Sequence, residues 1–466
     1  MISILIFESQ RFMADPYSYI ASNKNRYEEE LTEFLRIPSV SADSRQKPAI
    51  EKACQFVADQ LKSAGLTTEI IPTKGNPLVY AEWLHAPGKP TLLVYGHYDV
   101  QPPEPLELWE SGPFEPTVRD GNIYARGATD DKGQMYTHVK AIEAWMKTVG
   151  KLPINVKVII EGEEEVGSVS IDQVLPSLKE KLACDYILIS DSSMFAPDIP
   201  AVTYGLKGIY YFELFIDGPK RDLHSGTFGG SVKNPINALC EMLGKLVDEN
   251  GRIQIPGFYD DVVEIDANEK KSIASLEFSD DEYKKEMGVH DLAGEKGYST
   301  LERRWVRPTC DINGIFGGYQ GEGAKTVLPA KAGAKFSFRL VPNQDPAKIE
   351  AGVMEFVRRH TPSGVTVRLV NHHGAAAVVV PLGSPPIEAA SRALKAAFGR
   401  DPVYIREGGS IPIVNSFKRV LNADSLLIGF GLNDDNTHSP NEKFSLKDFH
   451  RGILTSAHLL EELAKI

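Results

Sequence analysis

Four near-continuous apolar runs in this chain lead straight into imidazole or carboxylate side chains. TLLVYG (91–96) runs into His97-Tyr98-Asp99, and INVKVII (154–160) runs into Glu161, Glu163, Glu164 and Glu165. CDYILIS (184–190) runs into Asp191, and DSLLIGFG (424–431) leads within a few residues to NDDNTHS, which contains His438. Runs this apolar read as strands of a central sheet buried on both faces. Open α/β sheets hold their sites outside the carboxyl ends of such strands. If the four strands share that edge, two histidines and several carboxylates converge there.

The intervening sequence supplies the layers such a sheet needs. FEPTVRDGNIYARG reads as a hairpin turning at Asp120-Gly121. Met135, Val139, Ile142, Met146 and Val149 recur at helical spacing, with Gly150 as the stop. Strand–helix–strand order predicts an α/β fold with a central, mostly parallel sheet and flanking helices. From about Gly208 the texture changes: IYYFELFIDG and AKFSFRLVP alternate as half-exposed strands, separated by helical stretches and a polar segment near 260–296. We read residues 208–381 as an inserted α+β domain. Residues 1–207 and 382–466 form the split first domain, closed by a helix at PPIEAASRALKAAFG and an amphipathic C-terminal helix. At 466 residues the chain exceeds what one core serves, which agrees with two domains.

A net charge of -12 argues against nucleic acid as a partner and fits acidic ligands gathered in a site. Cys54, Cys184, Cys240 and Cys310 lie far apart without a CxxC pair, so a cysteine zinc cluster or disulfide framework is not expected. They point to a reducing compartment and hence the cytoplasm. MISILIF lacks a basic flank and is a poor signal peptide, with Met1 or Met13 as the start. No apolar run is long enough for a membrane helix.

Each candidate residue has a plainer reading beside the chemical one. His97 and Asp99 point to one face of an extended chain, which suits a metal-bound imidazole held by a carboxylate, or a buried histidine satisfied by its neighbour. Asp130 and Asp131 precede a helix, where one aspartate serves as N-cap and the other is free to bridge cations. The glutamate run is a solvated face or a tight loop in which one of Glu164 and Glu165 binds metal and the other moves a proton. Oxygen and imidazole donors without thiolate suit zinc, manganese or cobalt. HExxH, GxSxG, Walker and GxGxxG signatures are absent.

Taken together, GHYDVQP, RGATDDKG, EGEEEVGS, DLHSG and NTHSPNEKF, in that order, resemble the cocatalytic zinc peptidases that include cytosolic non-specific dipeptidase, carnosinase, aminoacylase and glutamate carboxypeptidase. The resemblance covers the chain from about Asn25 onward. It implies two divalent ions, Zn2+ foremost with Mn2+ or Co2+ compatible, His97 and Asp191 holding one, Glu165 and His438 the other, and Asp130 bridging. It implies Glu164 as general base, Asp99 as the group orienting His97, and a cis peptide at Asp130-Asp131. It also implies that residues 208–381 are a lid or dimerisation domain inserted in a catalytic metal-binding domain, and a homodimer in which His224 reaches the partner's site; the plainer reading of His224 is a turn cap. Arg339 would bind the substrate carboxylate rather than form a strand-face salt bridge. Thr326 would line the partner's pocket, and Gly409 and Ser410 the substrate loop, with Gly408 and Gly409 admitting the ligand to the backbone. Asp191, where aminoacylases and carboxypeptidases of the family usually carry glutamate, places the chain on the dipeptidase branch with a small peptide as substrate. The competing expectations are an N-acyl-amino-acid hydrolase on the same scaffold and a binding protein that kept the fold without the chemistry.

Overall fold

Residues 15–466 are described by the computed structural model, so the choice between Met1 and Met13 lies outside the described residues. The first segment contributes six strands to the main sheet. These are β1 (Thr67–Ile71), β2 (Leu78–Trp83), β3 (Thr91–His97), β4 (Asn155–Glu161), β5 (Tyr186–Ile189) and β6 (Ala201–Leu206). The middle of the chain adds β7 (Gly208–Asp217), β8 (Thr309–Gly317), β9 (Lys331–Leu340) and β10 (Thr366–Ala375), before β11 (Asp424–Leu427) returns to the main sheet. Along that sheet the order is β1-β2-β4-β3-β5-β11-β6. Its centre is parallel: β3 pairs with β4 and β5, and β5 with β11, so all four carboxyl ends lie on one edge. The antiparallel pairs β1–β2, β2–β4 and β11–β6 lie outside this parallel core.

Two compact units emerge. Of the described residues, those up to Tyr204, Val380–Tyr404 and Ser416–Ile466 form the first, and Gly205–Val379 with Ile405–Asn415 the second. In the first, the helices Lys47–Ser63, Lys132–Thr148, Pro385–Phe398 and Leu446–Leu463 contribute apolar side chains to the core of the main sheet. In the second, β8-β9-β7-β10 form an antiparallel sheet. Phe212, Phe336 and Phe338 on its inner face pack with Leu239, Met242, Val353 and Phe356 of the helices Pro235–Leu243 and Pro346–His360. Each such side chain removed from water contributes about 1.5–3 kcal/mol.

The helix Lys132–Thr148 departs from the amphipathic reading. Val149 is exposed, whereas the polar residues Lys132, Gln134, Thr137, His138 and Lys140 are buried alongside Met135 and Ile142. Specific partners make this possible. Lys132 Nζ donates to the carbonyls of Phe34 and Ile37, Gln134 accepts from the N–H of Phe430, and His138 sits between Ser190 and Ser456. Asp131 occupies the N-cap position yet does not cap with its side chain. Its carboxylate instead accepts the backbone N–H of His97 at 3.2 Å, joining the helix start to the end of β3. The Asp130-Asp131 peptide is cis. All four cysteines are free.

Candidate metal centre

The carboxyl ends of β3, β4 and β5, the loop leading into the helix Lys132–Thr148 and the loop after β11 bring five predicted residues together. Asp130 is at the middle: its Oδ1 lies 3.2 Å from His97 Nε2 and its Oδ2 2.9 Å from His438 Nε2. Asp191 Oδ2 is 4.0 Å from His97 Nε2, and Glu165 Oε2 is 3.3 Å from His438 Nε2. Two overlapping groups result, His97–Asp130–Asp191 and Asp130–Glu165–His438, with the donor atoms of each within 4.8 Å of one another.

The environment is that of a site built for positive charge. Burial works against a charged His97, yet Asp130 and Asp99 beside it hold the imidazole well above the ordinary histidine range. Hydrogen bonds to Asp130 and Glu165 raise His438 to about 10. Burial pushes both Glu164 and Glu165 up, and the charges of Asp191 and Asp130 add to the effect at Glu164. His97 Nε2 is buried and, although close to Asp130, makes no hydrogen bond of acceptable geometry. An inward-facing imidazole nitrogen without a hydrogen bond, amid carboxylates that disfavour one another's ionisation, fits a divalent cation.

Asp99 does more than its sequence position implied. The closest contact to His97 Nδ1 is the Asp99 backbone carbonyl, at 3.1 Å, with the carboxylate at 3.4 Å. That carboxylate accepts the N–H groups of Glu164 and Glu165, each at 3.2 Å, and so fixes the glutamate turn. The turn is one short 3-10 helix, Glu164–Val166, closed by Gly167 at φ 96°. There a side chain would be strained.

Two residues that sequence reasoning passed over organise the rest. Glu442 is fully buried and accepts from the N–H groups of Gly127, Thr129 and Asp130 and from Arg126 Nη1 at 2.7 Å. Gln101 donates to Glu165 Oε2 at 2.7 Å. Both lie within the motifs NTHSPNEKF and GHYDVQP, their only signal in the sequence. His438 itself sits at φ 61°, between Asn436 and Asn441, which also have positive φ. A non-glycine residue holds that conformation only where its surroundings require it. Here Asp435 ties the loop down by accepting from Leu432 N–H, Thr129 Oγ1 and Lys443 Nζ.

In the second unit, Arg339 on β9 has no carboxylate partner, and its Nη1 donates to Ser410 Oγ at 3.1 Å. The alternative reading, a strand-face salt bridge, is therefore not what this arginine does. Around Gly409 a side chain would meet nothing, whereas one at Gly408 would lie 3.0 Å from the Arg304 carbonyl. His224 caps its own turn, accepting from Gly226 N–H at 3.0 Å. The Thr326 carbonyl accepts the neighbouring Ser225 N–H, in the short ladder that pairs His224 with Val327.

This constellation of shared aspartate, paired imidazoles and a spare glutamate is that of a metallopeptidase. The chain belongs to the peptidase family M20/M25/M40, whose pattern it matches over residues 93–462. It is 34% identical to the Cys-Gly metallodipeptidase dug1 of Schizosaccharomyces pombe, over 97% of this chain and 98% of that one. Its fold matches the dipeptidase Dug1p of Saccharomyces cerevisiae with a TM-score of 0.84 at 33% identity, covering 98% and 99% of the two chains. Human carnosine dipeptidase 1 matches with a TM-score of 0.85 at 31% identity, covering 97% and 98%.

Proposed function

We propose that this protein hydrolyses dipeptides, with His97 and Asp191 holding one divalent ion, Glu165 and His438 a second, and Asp130 both. The observation that carries this reading is Asp130, whose two oxygens face two different imidazoles. Bound ions would supply an acidified water and polarise the scissile carbonyl. Zinc suits these donors best, with manganese or cobalt compatible.

Glu164 is the general base. Its carboxylate makes no hydrogen bond or ion pair to a described residue, and burial raises its pKa above the ordinary carboxylate range, which leaves it free to move a proton. It takes the water's proton and returns it to the leaving amine. Asp99 holds the turn that presents it. Arg339 and Ser410 receive the substrate's carboxylate, a role supported by a partly buried guanidinium without an anion of its own.

The active form in this reading is a cytoplasmic homodimer, with His224 and Thr326 of one copy completing the other's site. Edge strand β8 supports dimerisation: among the described residues it pairs only with β9, and it exposes Ile312 and Ile315 at 46% and 57%. Among the described residues no helix is long and apolar enough to cross a membrane.

The test is hydrolysis by chelator-stripped protein before and after adding zinc or manganese, with a free dipeptide offered beside its N-acetyl form. Metal-restored cleavage of the free dipeptide is expected. Preference for the acetyl compound would replace the substrate assignment with acyl-amino-acid hydrolysis, and activity untouched by complete metal removal would overturn the mechanism.

A further inference from the structure

Lys207 spends each of its polar groups on a different part of the second unit. Its N–H donates to the Glu407 carbonyl at 3.1 Å, its carbonyl accepts the Ser410 hydroxyl, and its ammonium donates to the Arg303 carbonyl at 2.9 Å. Ser410 Oγ in turn accepts from Arg339 Nη1. One residue therefore connects the loop 405–411, the helix Thr300–Trp305 and the guanidinium on β9. Lys207 is only 3% exposed, and neither it nor Arg339 lies within ion-pair distance of a carboxylate among the described residues. A buried lysine ordinarily has such a partner or loses its charge.

We infer that Lys207 is a positioning residue of the substrate-carboxylate site, setting Ser410 toward Arg339 and adding a second buried positive charge that an anionic ligand offsets. This rests on the assignment of Arg339 made above. The groups acting on Lys207 are Arg339 on β9, Asp311 on β8, and Arg304 and Arg307 in and just after the helix Thr300–Trp305. Burial first, then the three guanidiniums, lower its ammonium to about 7, and Asp311 pulls the other way. The charge is therefore present below neutral pH and fades above it. A ligand carboxylate on Arg339 would feel that change, and an uncharged amide in its place would not.

The experiment compares KM and kcat for a dipeptide and for its C-terminal amide, from pH 6 to about 8.5, in wild type, Lys207→Met, Lys207→Gln and Lys207→Arg. Lys207→Gln retains a donor for the Arg303 carbonyl, so it reports on charge should Lys207→Met fail to fold. In wild type, KM of the free acid should rise with pH across neutrality relative to the amide. Both neutral variants should raise KM of the free acid about tenfold, equivalent to about 1.4 kcal/mol, with kcat and the amide's KM little changed. Lys207→Arg should restore affinity and flatten the pH dependence. An unchanged free-acid KM in the neutral variants, or an equal rise for acid and amide, overturns the role of Lys207. A wild type that cleaves dipeptides without distinguishing acid from amide overturns the Arg339 assignment instead. No cleavage of either overturns the dipeptidase reading itself.

Discussion

Four glutamates crowd the end of β4, and the structure gives each a different task. Glu161 is buried, accepting from Tyr95 Oη and Ser168 Oγ. Glu163 receives the N–H groups of Asn76 and Ser170, holding two segments together. Glu165 faces Gln101 and His438, and only Glu164 is left without such a partner. Glu164→Gln should therefore leave metal content and folding intact while lowering kcat by a factor of about 10²–10⁴, since proton transfer alone is lost. Near-normal turnover in a metal-loaded variant would end its assignment as base. The sequence pointed to the pair Glu164–Glu165 because adjacent carboxylates after a buried strand need an explanation. It could not separate Glu161 from Glu163, whose partners are a tyrosine on β3 and backbone groups of another loop.

At the scale of elements, the strand ends were legible because continuous apolar runs leave few other folds open. What holds the loops after them was not. Glu442 satisfies the N–H groups of Gly127, Thr129 and Asp130 and Arg126 from more than 300 residues away, and nothing in the motif NTHSPNEKF marks those partners. Glu442→Gln should destabilise the protein by about 3–5 kcal/mol, because Arg126 and part of the loop are left buried without a full complement of acceptors. Because the same loop carries Asp130, metal affinity should fall with it. Denaturant titration and metal titration together test this; a variant with wild-type stability would show that the other contacts suffice. The helix Lys132–Thr148 was legible as a helix but not in its burial, since lysine and histidine read as solvent-facing unless their partners are known.

For the whole molecule, the two-unit organisation followed from the change of texture near Gly208, whereas the return of Ile405–Asn415 to the second unit did not. REGGSIPIV lies in the part of the sequence that otherwise completes the first unit. If His224 acts on the partner's substrate, His224→Ala mixed with Glu164→Gln should recover activity in mixed dimers. In every such mixed dimer one of the two sites carries both intact residues and the other carries neither. No recovery despite verified subunit exchange would argue that His224 does no more than cap its turn.

The position of His438 also sets a schedule for synthesis. The other four proposed ligands have all been synthesised by residue 191, yet His438 follows almost 250 residues later. At translation rates of about 5–20 residues per second, the nascent chain spends roughly 12–50 s with an incomplete set of donors. A complete centre thus waits for the chain to pass residue 438, and a product stopping short of His438 would carry four of the five donors but lack the means to close the set.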